Sequence, residues 1–350
     1  MMELPDGPAP AVARPSSLAD LGWSAFFADQ RRPDEADLVP MRVAKVHRTR
    51  MAGLGADGPA KLVLPPLADT GAFAVGDWVL VEPATRALAR RLDRRTVLAR
   101  HTEGSTVPQL AAANVDTLFI VTSHNADFNP DRLERYLAMA NEGGVDPVIL
   151  LTKADGAADA AECERRAAAL QRGLPVLTLD PRSPDAAGRL APWCGAGRTV
   201  ALVGSSGVGK STLVNTLVGA GDAPPQLTGA IRERDAKGRH TTTARSLHRI
   251  AAGGWVIDTP GMRTLNIGDA AFGLDTLFAE IVELAPACRF SDCTHLHEPG
   301  CAVRAAVADG RLDADRVARW RRLTEENRAN TPAATGPRGN RVPAGRPRRR

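Results

Sequence analysis

The chain of 350 residues is too long for one ordinary hydrophobic core, and its apolar fraction of 43% is enough to fill two or three. No run approaches the ~18 apolar residues of a membrane span, and the first residues lack the pattern of a secretory signal. We therefore expect a protein of the cytoplasm that does not associate with a membrane.

Positive charge is concentrated in two segments, although the net charge is only +5. Residues 41–100 carry eleven Lys and Arg against five Asp and Glu, and residues 331–350 carry six Arg and no acid. Such segments favour a polyanionic partner, for which RNA is the main candidate. A solubilising surface with a disordered tail is the alternative interpretation.

The amino-terminal third predicts an extension followed by a small β-barrel. Residues 1–35 are predicted to be largely disordered, because Pro, Ala and Ser dominate residues 1–18, although the apolar run 21–27 is expected to dock on the folded part. Short β runs broken by Gly and Pro then fill residues 36–100. This spacing favours a barrel of about 60 residues.

Residues 101–270 alternate buried strands with helical stretches, which is typical of a parallel sheet with crossover helices. The predicted strands are 115–122, 148–151, 176–179 and 200–203, and the predicted helices are 130–142, 159–172 and 210–218. Residues 271–330 are predicted to form helices around a cysteine cluster, and residues 331–350 are predicted to be a basic disordered tail. The fold class predicted is multidomain α/β.

A phosphate loop follows the predicted strand 198–203 and opens a helix, the context that this motif requires. Its glycines allow successive backbone N–H groups to face phosphates at a helix N-terminus. Lys210 is expected to reach the β- and γ-phosphates, and the Ser211 hydroxyl to bind Mg²⁺. The GTP-binding candidates here are Gly204, Ser205, Ser206, Gly207, Val208, Gly209, Lys210, Ser211 and Thr212.

A second element of the nucleotide site begins at Asp258, where an apolar run ends in Asp-Thr-Pro-Gly. The Asp258 carboxylate is expected to hold a magnesium-bound water, and the Gly261 N–H to sense the γ-phosphate. Such a sequence alone is an ordinary turn, but its place about 50 residues after a phosphate loop favours the functional interpretation.

A base-reading motif, Thr152, Lys153, Ala154 and Asp155, follows the predicted strand 148–151. The Asp155 carboxylate accepts two N–H groups of guanine, whereas adenine would leave it unpaired. The stem of Lys153 can lie along the purine. The motif is common by chance and a solvated loop is the alternative, which the phosphate loop in the same chain disfavours.

The base-reading motif precedes the phosphate loop, the reverse of the order in ordinary small GTPases, which implies a circularly permuted G domain. Combined with a barrel and a cysteine cluster, this order resembles the RsgA (YjeQ) family of ribosome small-subunit-dependent GTPases. The resemblance covers about residues 20–328 and includes the runs 76–79, 125–130, 238–243 and 301–306.

The resemblance implies an OB-fold over 36–100, a permuted G domain over 101–270 and a zinc-binding helical domain over 271–330. It implies a monomer that binds GTP and GDP, with the 30S ribosomal subunit and its 16S rRNA as partners, bound through the barrel and zinc domain. The implied activity is GTP hydrolysis during late 30S maturation, stimulated by that subunit.

The resemblance also places switch I at residues 238–243, where Thr242 would complete magnesium coordination, with Thr241 and Thr243 as open alternatives. Met262 stands where Ras-like enzymes place a water-orienting glutamine, so slow intrinsic turnover is expected. His240, or a group of the ribosome, is our candidate for positioning that water. Two departures from the usual pattern are Thr152 in place of Asn, and the absence of a Ser-Ala base contact at residues 176–180.

The cysteine cluster predicts a closed metal site. Its ligands would be Cys288, Cys293, His295 and Cys301, a set that suits one structural Zn²⁺ of the Cys₃His type. His297 competes for the histidine position, but the spacing in the resembled family falls on His295. Free buried cysteines are the alternative.

The barrel has few aromatic residues for base stacking, and Trp78 is expected in its core. Sequence-independent contacts with phosphates are predicted instead. The residues proposed for them are Arg42, Lys45, Arg48, Arg50, Arg90, Arg91, Arg94 and Arg95. Two rival functions are a P-loop ATPase or small-molecule kinase, which Asp155 disfavours, and a non-enzymatic RNA-binding module with a nucleotide-dependent shape.

Overall fold

The computed structural model describes residues 17–100, 108–124, 128–153, 160–219, 245–259 and 267–331. The strands are β1 Val39–Val46, β2 Met51–Gly55, β3 Gly58–Leu62, β4 Trp78–Val81, β5 Leu88–Arg91, β6 Val97–Arg100, β7 Gln109–Ala113, β8 Thr117–Ser123, β9 Asp146–Thr152, β10 Val176–Thr178, β11 Thr199–Val203, β12 Ser246–Arg249 and β13 Trp255–Asp258. The helices are α1 Ala25–Ala28, α2 Pro130–Glu142, α3 Ala160–Ala168, α4 Ala186–Cys194, α5 Lys210–Val218, α6 Ala271–Leu277, α7 Ala279–Leu284, α8 Ala302–Ala308 and α9 Ala314–Asn330. Within these ranges, no helix has the length and apolar character to cross a membrane.

Strands β1 to β5 form a small barrel in the order β3-β2-β1-β4-β5. Its strand pairs are antiparallel, and a parallel bridge from Val63 to Ala87 closes β3 onto β5. Apolar side chains of alternate residues, such as Met41 and Val43 on β1, fill its interior. Five strands closed in this order are the topology of an OB-fold.

The segment before the barrel differs from the predicted disordered extension. Residues 17–35 form short helical turns, and Leu21 and Phe27 are buried. Phe27 and Trp23 pack against Trp78, with ring centroids 5.8 and 4.8 Å away. The apolar run 21–27 thus docks on the folded part as predicted, whereas the prediction of disorder was wrong for the rest of residues 17–35, because burial of these aromatic rings offsets the entropy of ordering the chain. Residues 1–16 lie outside the described ranges.

The G domain is built on strands β8 to β13, in the order β10-β9-β8-β11-β13-β12. All neighbours are parallel except β12, which runs antiparallel to β13. On β8, Leu118 and Ile120 belong to one hydrophobic cluster with α2 and α3, whereas Phe119 and Val121 belong to the other with α4 and α5. The sheet is thus covered on both faces, which explains the uninterrupted apolar runs of its strands.

The barrel and the G domain share one sheet. The end of β1 pairs with β12 in the register Lys45 to Ser246, which gives a continuous sheet of eleven strands in the described structure. Trp255 on β13 also donates its indole N–H to the Asp20 carbonyl at 2.6 Å. These contacts fix the barrel relative to the nucleotide-binding edge.

The carboxy-terminal helices pack on α2 of the G domain. The Glu134 carboxylate on α2 is fully buried and accepts hydrogen bonds from Arg316 at 2.8 Å and Arg319 at 2.9 Å, both on α9. Burial raises the pKa of Glu134, and the two arginines oppose that rise. The Arg316 guanidinium also lies 4.2 Å from the centre of the Phe278 ring. Breaking such a buried pair from one side typically costs about 3–5 kcal/mol, so this contact fixes α9 firmly.

Candidate functional site

The phosphate loop joins the buried strand β11 to α5, which begins at Lys210. Gly204, Gly207 and Gly209 have φ angles of 138°, 79° and 98°, a region that favours glycine. A Cβ on Gly204 would lie 2.1 Å from the Val121 carbonyl oxygen, so only glycine fits. The Lys210 ammonium donates to the carbonyls of Gly204, at 2.8 Å, and Ser205, which places its charge over the loop.

Two buried side chains from other elements support this loop. The Thr152 hydroxyl at the end of β9 lies 2.8 Å from the Val208 carbonyl and 3.1 Å from the Thr122 carbonyl, and donates its proton between them. A backbone hydrogen bond joins Gly204 to Tyr136 on α2, and burial raises the pKa of that phenol. Thr152 is fully buried, so the residue that departs from the usual Asn ties the base-reading motif to the phosphate loop.

The base-reading motif starts at the carboxyl end of β9, where parallel sheets bind ligands. Lys153 is exposed and adopts a left-handed φ of 58°, so the extended conformation of β9 ends at Thr152. Ala154 and Asp155 lie outside the described residues. Their role in guanine recognition stays a prediction.

The segment after β10, for which the sequence indicated no motif, lies beside the phosphate loop. A Cβ on Gly209 would lie 3.2 Å from the Pro181 ring. The Thr216 hydroxyl on α5 donates to the Pro181 carbonyl at 2.7 Å, and the Arg182 N–H binds the Asp180 carboxylate at 2.9 Å. No residue type in this segment indicates a binding site. Only the proximity of β10 to β9 and α5 could have shown that the segment lies beside the phosphate loop.

His124, at the end of β8, is a second residue at this edge that the sequence did not indicate. Its Nε2 lies 3.3 Å from the Thr178 hydroxyl, which in turn lies 3.2 Å from the Glu164 carboxylate on α3. Burial lowers the pKa of His124, and Glu164 opposes that shift. The imidazole is 9% exposed, and its Nδ1 has no hydrogen-bond partner within the described structure. His124 therefore links the ends of β8 and β10 around the base-reading motif.

Asp258 ends β13, next to the strand that leads into the phosphate loop. It stands in register with Leu202 of β11, and the Thr259 hydroxyl donates to the Leu202 carbonyl at 2.5 Å. The carboxyl ends of β11 and β13 therefore meet, as a shared magnesium site requires. Gly261, Met262, His240 and the three threonines Thr241, Thr242 and Thr243 lie outside the described residues.

The predicted metal ligands converge in the carboxy-terminal helical region. The ligand atoms of Cys288, Cys293, His295 and Cys301 all lie within 4.8 Å of one another. Three of these separations are 3.9 Å between Cys288 and Cys301, 3.5 Å between Cys288 and His295, and 3.4 Å between His295 and Cys301. Tetrahedral sulfur ligands about 2.3 Å from Zn²⁺ would be about 3.8 Å apart, so the donors fit one metal ion.

Glu298 organises the loop that carries the cluster. Its carboxylate accepts the Thr294 N–H at 2.9 Å and the N–H groups of Leu296 and His297 at 3.1 and 3.2 Å. The hydrogen bond from the Thr294 hydroxyl holds the pKa of Glu298 well below its usual range, and backbone N–H donors lower it further. The side chain of His297 is exposed and outside the cluster, whereas His295 is buried in it. This loop therefore favours His295 over the competing ligand.

Arg42 does not have the role predicted for it. Its side chain is 1% exposed and donates to the carbonyls of Leu21 at 2.7 Å and Asn114 at 3.1 Å. Burial lowers the pKa of this guanidinium to about 10, and the neighbouring Asp116 opposes the shift. The prediction that Arg42 contacts phosphates was wrong, because the side chain instead binds backbone carbonyls where the amino-terminal turns meet the barrel.

Other basic residues of the barrel divide into two groups. Arg90, Arg94 and Arg95 are engaged with carboxylates, and their partners are Glu35, Asp77 and Asp116 respectively. The Arg90 guanidinium lowers the pKa of Glu35 to about 2. Lys45, Arg48 and Arg50 are exposed around the connection from β1 to β2. We call these three residues the basic turn.

Known proteins resemble this chain over most of its length. A profile described as RsgA GTPase matches residues 91–268. A "Small ribosomal subunit biogenesis GTPase RsgA" of Mesorhizobium japonicum is 66% identical over 97% of this chain and 98% of its own length. A "Small ribosomal subunit biogenesis GTPase RsgA 2" of Vibrio vulnificus is 44% identical over 91% of this chain and 90% of its own length.

Two solved structures share the fold. YjeQ from Thermotoga maritima aligns with a TM-score of 0.60 at 23% identity and covers 83% of this chain and 98% of its own. YloQ, described as a circularly permuted GTPase, aligns with a TM-score of 0.59 at 22% identity and covers 87% of this chain and 100% of its own. The circularly permuted G domain predicted from the order of the motifs is therefore confirmed.

Proposed function

The chain belongs to the RsgA GTPase family and is a GTP hydrolase, and we propose that it acts in late maturation of the small ribosomal subunit. The observation that carries the site assignment is the hydrogen bond from Thr152 to the Val208 carbonyl. It joins the base-reading motif to the phosphate loop, so one nucleotide would bridge both. The domain limits 36–100, 101–270 and 271–330 are part of this proposal.

Within the site, Lys210 would neutralise the β- and γ-phosphates, and Asp155 would select guanine. Mg²⁺, when bound with GTP, would neutralise charge on the phosphates, and Ser211, Asp258 and Thr242 are the residues proposed to hold it or its water. Ser211 lies in the first turn of α5 and Asp258 ends β13, so both stand at the edge where β11 and β13 end. His240 remains our candidate for orienting the attacking water.

The segment 179–182 would complete the base pocket. Leu179 donates its N–H to the Leu151 carbonyl at 2.9 Å, so the segment continues from β10 alongside the base-reading motif. The neighbouring Pro181 is buried against the phosphate loop. Backbone groups of this segment, rather than a Ser-Ala motif, would then contact the base.

The basic turn would bind rRNA phosphates. Arg48 and Arg50 are exposed on the connection between the first two barrel strands, and Lys45 is exposed at the adjoining end of β1. This connection binds nucleic acid in many OB-folds. A triple variant with Lys45→Ala, Arg48→Ala and Arg50→Ala should weaken 16S rRNA binding and reduce its salt dependence. A control of equal charge change is Arg165→Ala, Arg172→Ala and Arg311→Ala, which removes only exposed ion pairs. Equal binding by both triples would place the RNA elsewhere.

The Cys₃His cluster would hold one Zn²⁺ in a structural role. Its four donors leave no open position for a substrate. The soft thiolates favour zinc over magnesium or calcium. Metal analysis of the purified protein should give one zinc per chain, and Cys293→Ser should lower that ratio.

The test of the whole proposal is hydrolysis of GTP and ATP by the purified chain, alone and with 30S or 50S subunits. We expect GTP turnover to rise with 30S only, and Lys210→Ala to abolish it. Tight GTP binding without turnover would support the non-enzymatic alternative, and equal use of ATP would contradict the guanine assignment. A protein with this partner would work in the cytoplasm as a monomer, which sedimentation can check.

A further inference from the structure

The last turn of α9 holds the backbone of residues 267–270, which we call the exit segment. Oε1 of Glu326 accepts the N–H of Ile267 at 2.9 Å, and Oδ1 of Asn327 accepts the N–H of Ala270 at 2.9 Å. Ile267 and Ala270 are 3% and 5% exposed, so these amide groups are screened from water. The side chains of α9 therefore satisfy donors that would otherwise be costly to bury.

Two more side chains complete the contact. Nδ2 of Asn330 donates to the Ile267 carbonyl at 2.8 Å, and the Thr331 hydroxyl accepts the N–H of Asp269 at 2.8 Å. The exit segment belongs to no helix or strand. Side chains therefore make the hydrogen bonds to its backbone that a helix or sheet would otherwise provide. We call Glu326, Asn327, Asn330 and Thr331 the α9 latch.

The position of the exit segment in the chain gives the latch its significance. Only seven residues separate Thr259, beside Asp258, from Ile267. The Thr259 hydroxyl is fixed to β11, and the exit segment is fixed to α9. Gly261, the proposed γ-phosphate sensor, therefore lies between two fixed points of the chain, Thr259 and Ile267. Helix α9 holds the second of these points.

The latch is connected to the rest of the molecule through α9. Oε2 of Glu326 binds Arg135 on α2 at 2.6 Å, and further along α9 Arg316 and Arg319 bind the buried Glu134. The Trp320 ring lies 5.6 Å from the ring of His295 in the metal cluster. One helix thus joins the exit segment, the G domain and the metal site.

We propose that the α9 latch is a positioning element for GTP hydrolysis, in which Glu326 and Asn327 fix the exit segment and, through the chain that joins it to β13, position Asp258 for the reaction. The inference rests on the GTPase activity and deepens it by naming residues outside the proposed nucleotide site that affect turnover. Their effect should therefore appear in kcat rather than in nucleotide affinity.

The test compares two double variants of the full chain. Glu326→Ala with Asn327→Ala removes two latch contacts and the ion pair of Glu326 with Arg135. Glu325→Ala with Arg328→Ala removes an exposed pair 3.9 Å apart on the same turns. Intrinsic GTP hydrolysis is measured without ribosomal subunits, at a temperature well below the Tm of both variants. We expect the latch variant to lose at least tenfold in kcat with KM changed less than twofold, and the control to stay within twofold of wild type.

A conservative substitution at Asn327 provides a second, independent test of the proposal. Asn327→Asp keeps an acceptor for the Ala270 N–H and should stay within threefold of the wild-type kcat, whereas Asn327→Leu should not. Hydrogen exchange at Ile267 and Ala270 should accelerate in the latch variant but not in the control. If the double variant does not fold, the Asn327 pair decides the outcome.

Wild-type kcat in the latch variant would overturn the proposal, and faster exchange with unchanged kcat would assign the latch a structural role only. A latch variant that weakens GTP binding as much as kcat would also contradict it. Because the assay contains no ribosomal subunits, absence of stimulation by 30S would refute the proposed partner and leave this test intact.

Discussion

Two buried threonines in the same sheet provide a matched test of what holds the nucleotide site together. The Thr152 hydroxyl lies 2.8 Å from the Val208 carbonyl and 3.1 Å from the Thr122 carbonyl, whereas the Thr199 hydroxyl is buried without a partner in the described structure. Thr152→Val should cost about 1–2 kcal/mol, because the buried Val208 carbonyl loses the hydrogen bond that Thr152 donates to it. Thr199→Val should gain about 1 kcal/mol, because it removes an unsatisfied polar group.

Thermal unfolding of the two valine variants measures this difference. A change of 1 kcal/mol shifts the Tm of a domain of this size by about 2–4 °C, so the two variants should differ by about 4–12 °C. Thr152→Val should also weaken GDP binding about fivefold, which corresponds to about 1 kcal/mol, and Thr199→Val should not change it. Similar Tm shifts for both variants, or unchanged GDP affinity in Thr152→Val, would refute the role given to this hydrogen bond.

Gly204→Ala should abolish GTP binding in a calorimetric titration, because the added Cβ would lie 2.1 Å from a carbonyl oxygen, whereas Gly207→Ala, with no atom within 4 Å, should bind more weakly but measurably. A zinc chelator should remove hydrogen-exchange protection from α8 and α9 before α2, because Cys301 caps α8 and the Trp320 ring of α9 packs against His295; simultaneous loss would contradict a separate metal-dependent unit. Burial holds the pKa of His124 below 6.5 against the pull of Glu164, so the folded state binds fewer protons than the unfolded chain. Stability should therefore fall as the pH drops below 6.5, and His124→Gln should show a smaller loss of Tm between pH 7.5 and 5.5 than wild type.

The phosphate loop and the metal cluster could be predicted because their chemistry is encoded locally. The loop needs glycines at fixed offsets from a lysine and a hydroxyl, and the backbone angles of Gly204 and Gly209 show the same requirement. The four metal ligands lie within fourteen residues, so a single loop brings them together. Neither prediction depends on how distant segments pack.

Contacts between distant segments could not be predicted in this way. The basic composition of residues 41–100 does not distinguish Arg42, which binds a carbonyl 72 residues away, from the exposed Arg48. The contact of Thr152 with Val208 requires β9 to lie near β11, although 56 residues separate them. The docking of the apolar run 21–27 could be predicted from its composition, but its contact with Trp78 depends on a surface that only the folded barrel creates.

The pairing of β12 with β1 has a consequence for how the chain avoids self-association. Within the G domain β12 is one of the two edge strands, and the end of β1 pairs with its first residue, Ser246. A fragment without residues 17–91 would expose unpaired N–H and C=O groups there, and such an edge is a template for another chain. The barrel is synthesised before the strand it protects, so β12 leaves the ribosome when its partner is already available. We therefore expect the isolated G domain to aggregate in conditions where the whole chain stays dispersed.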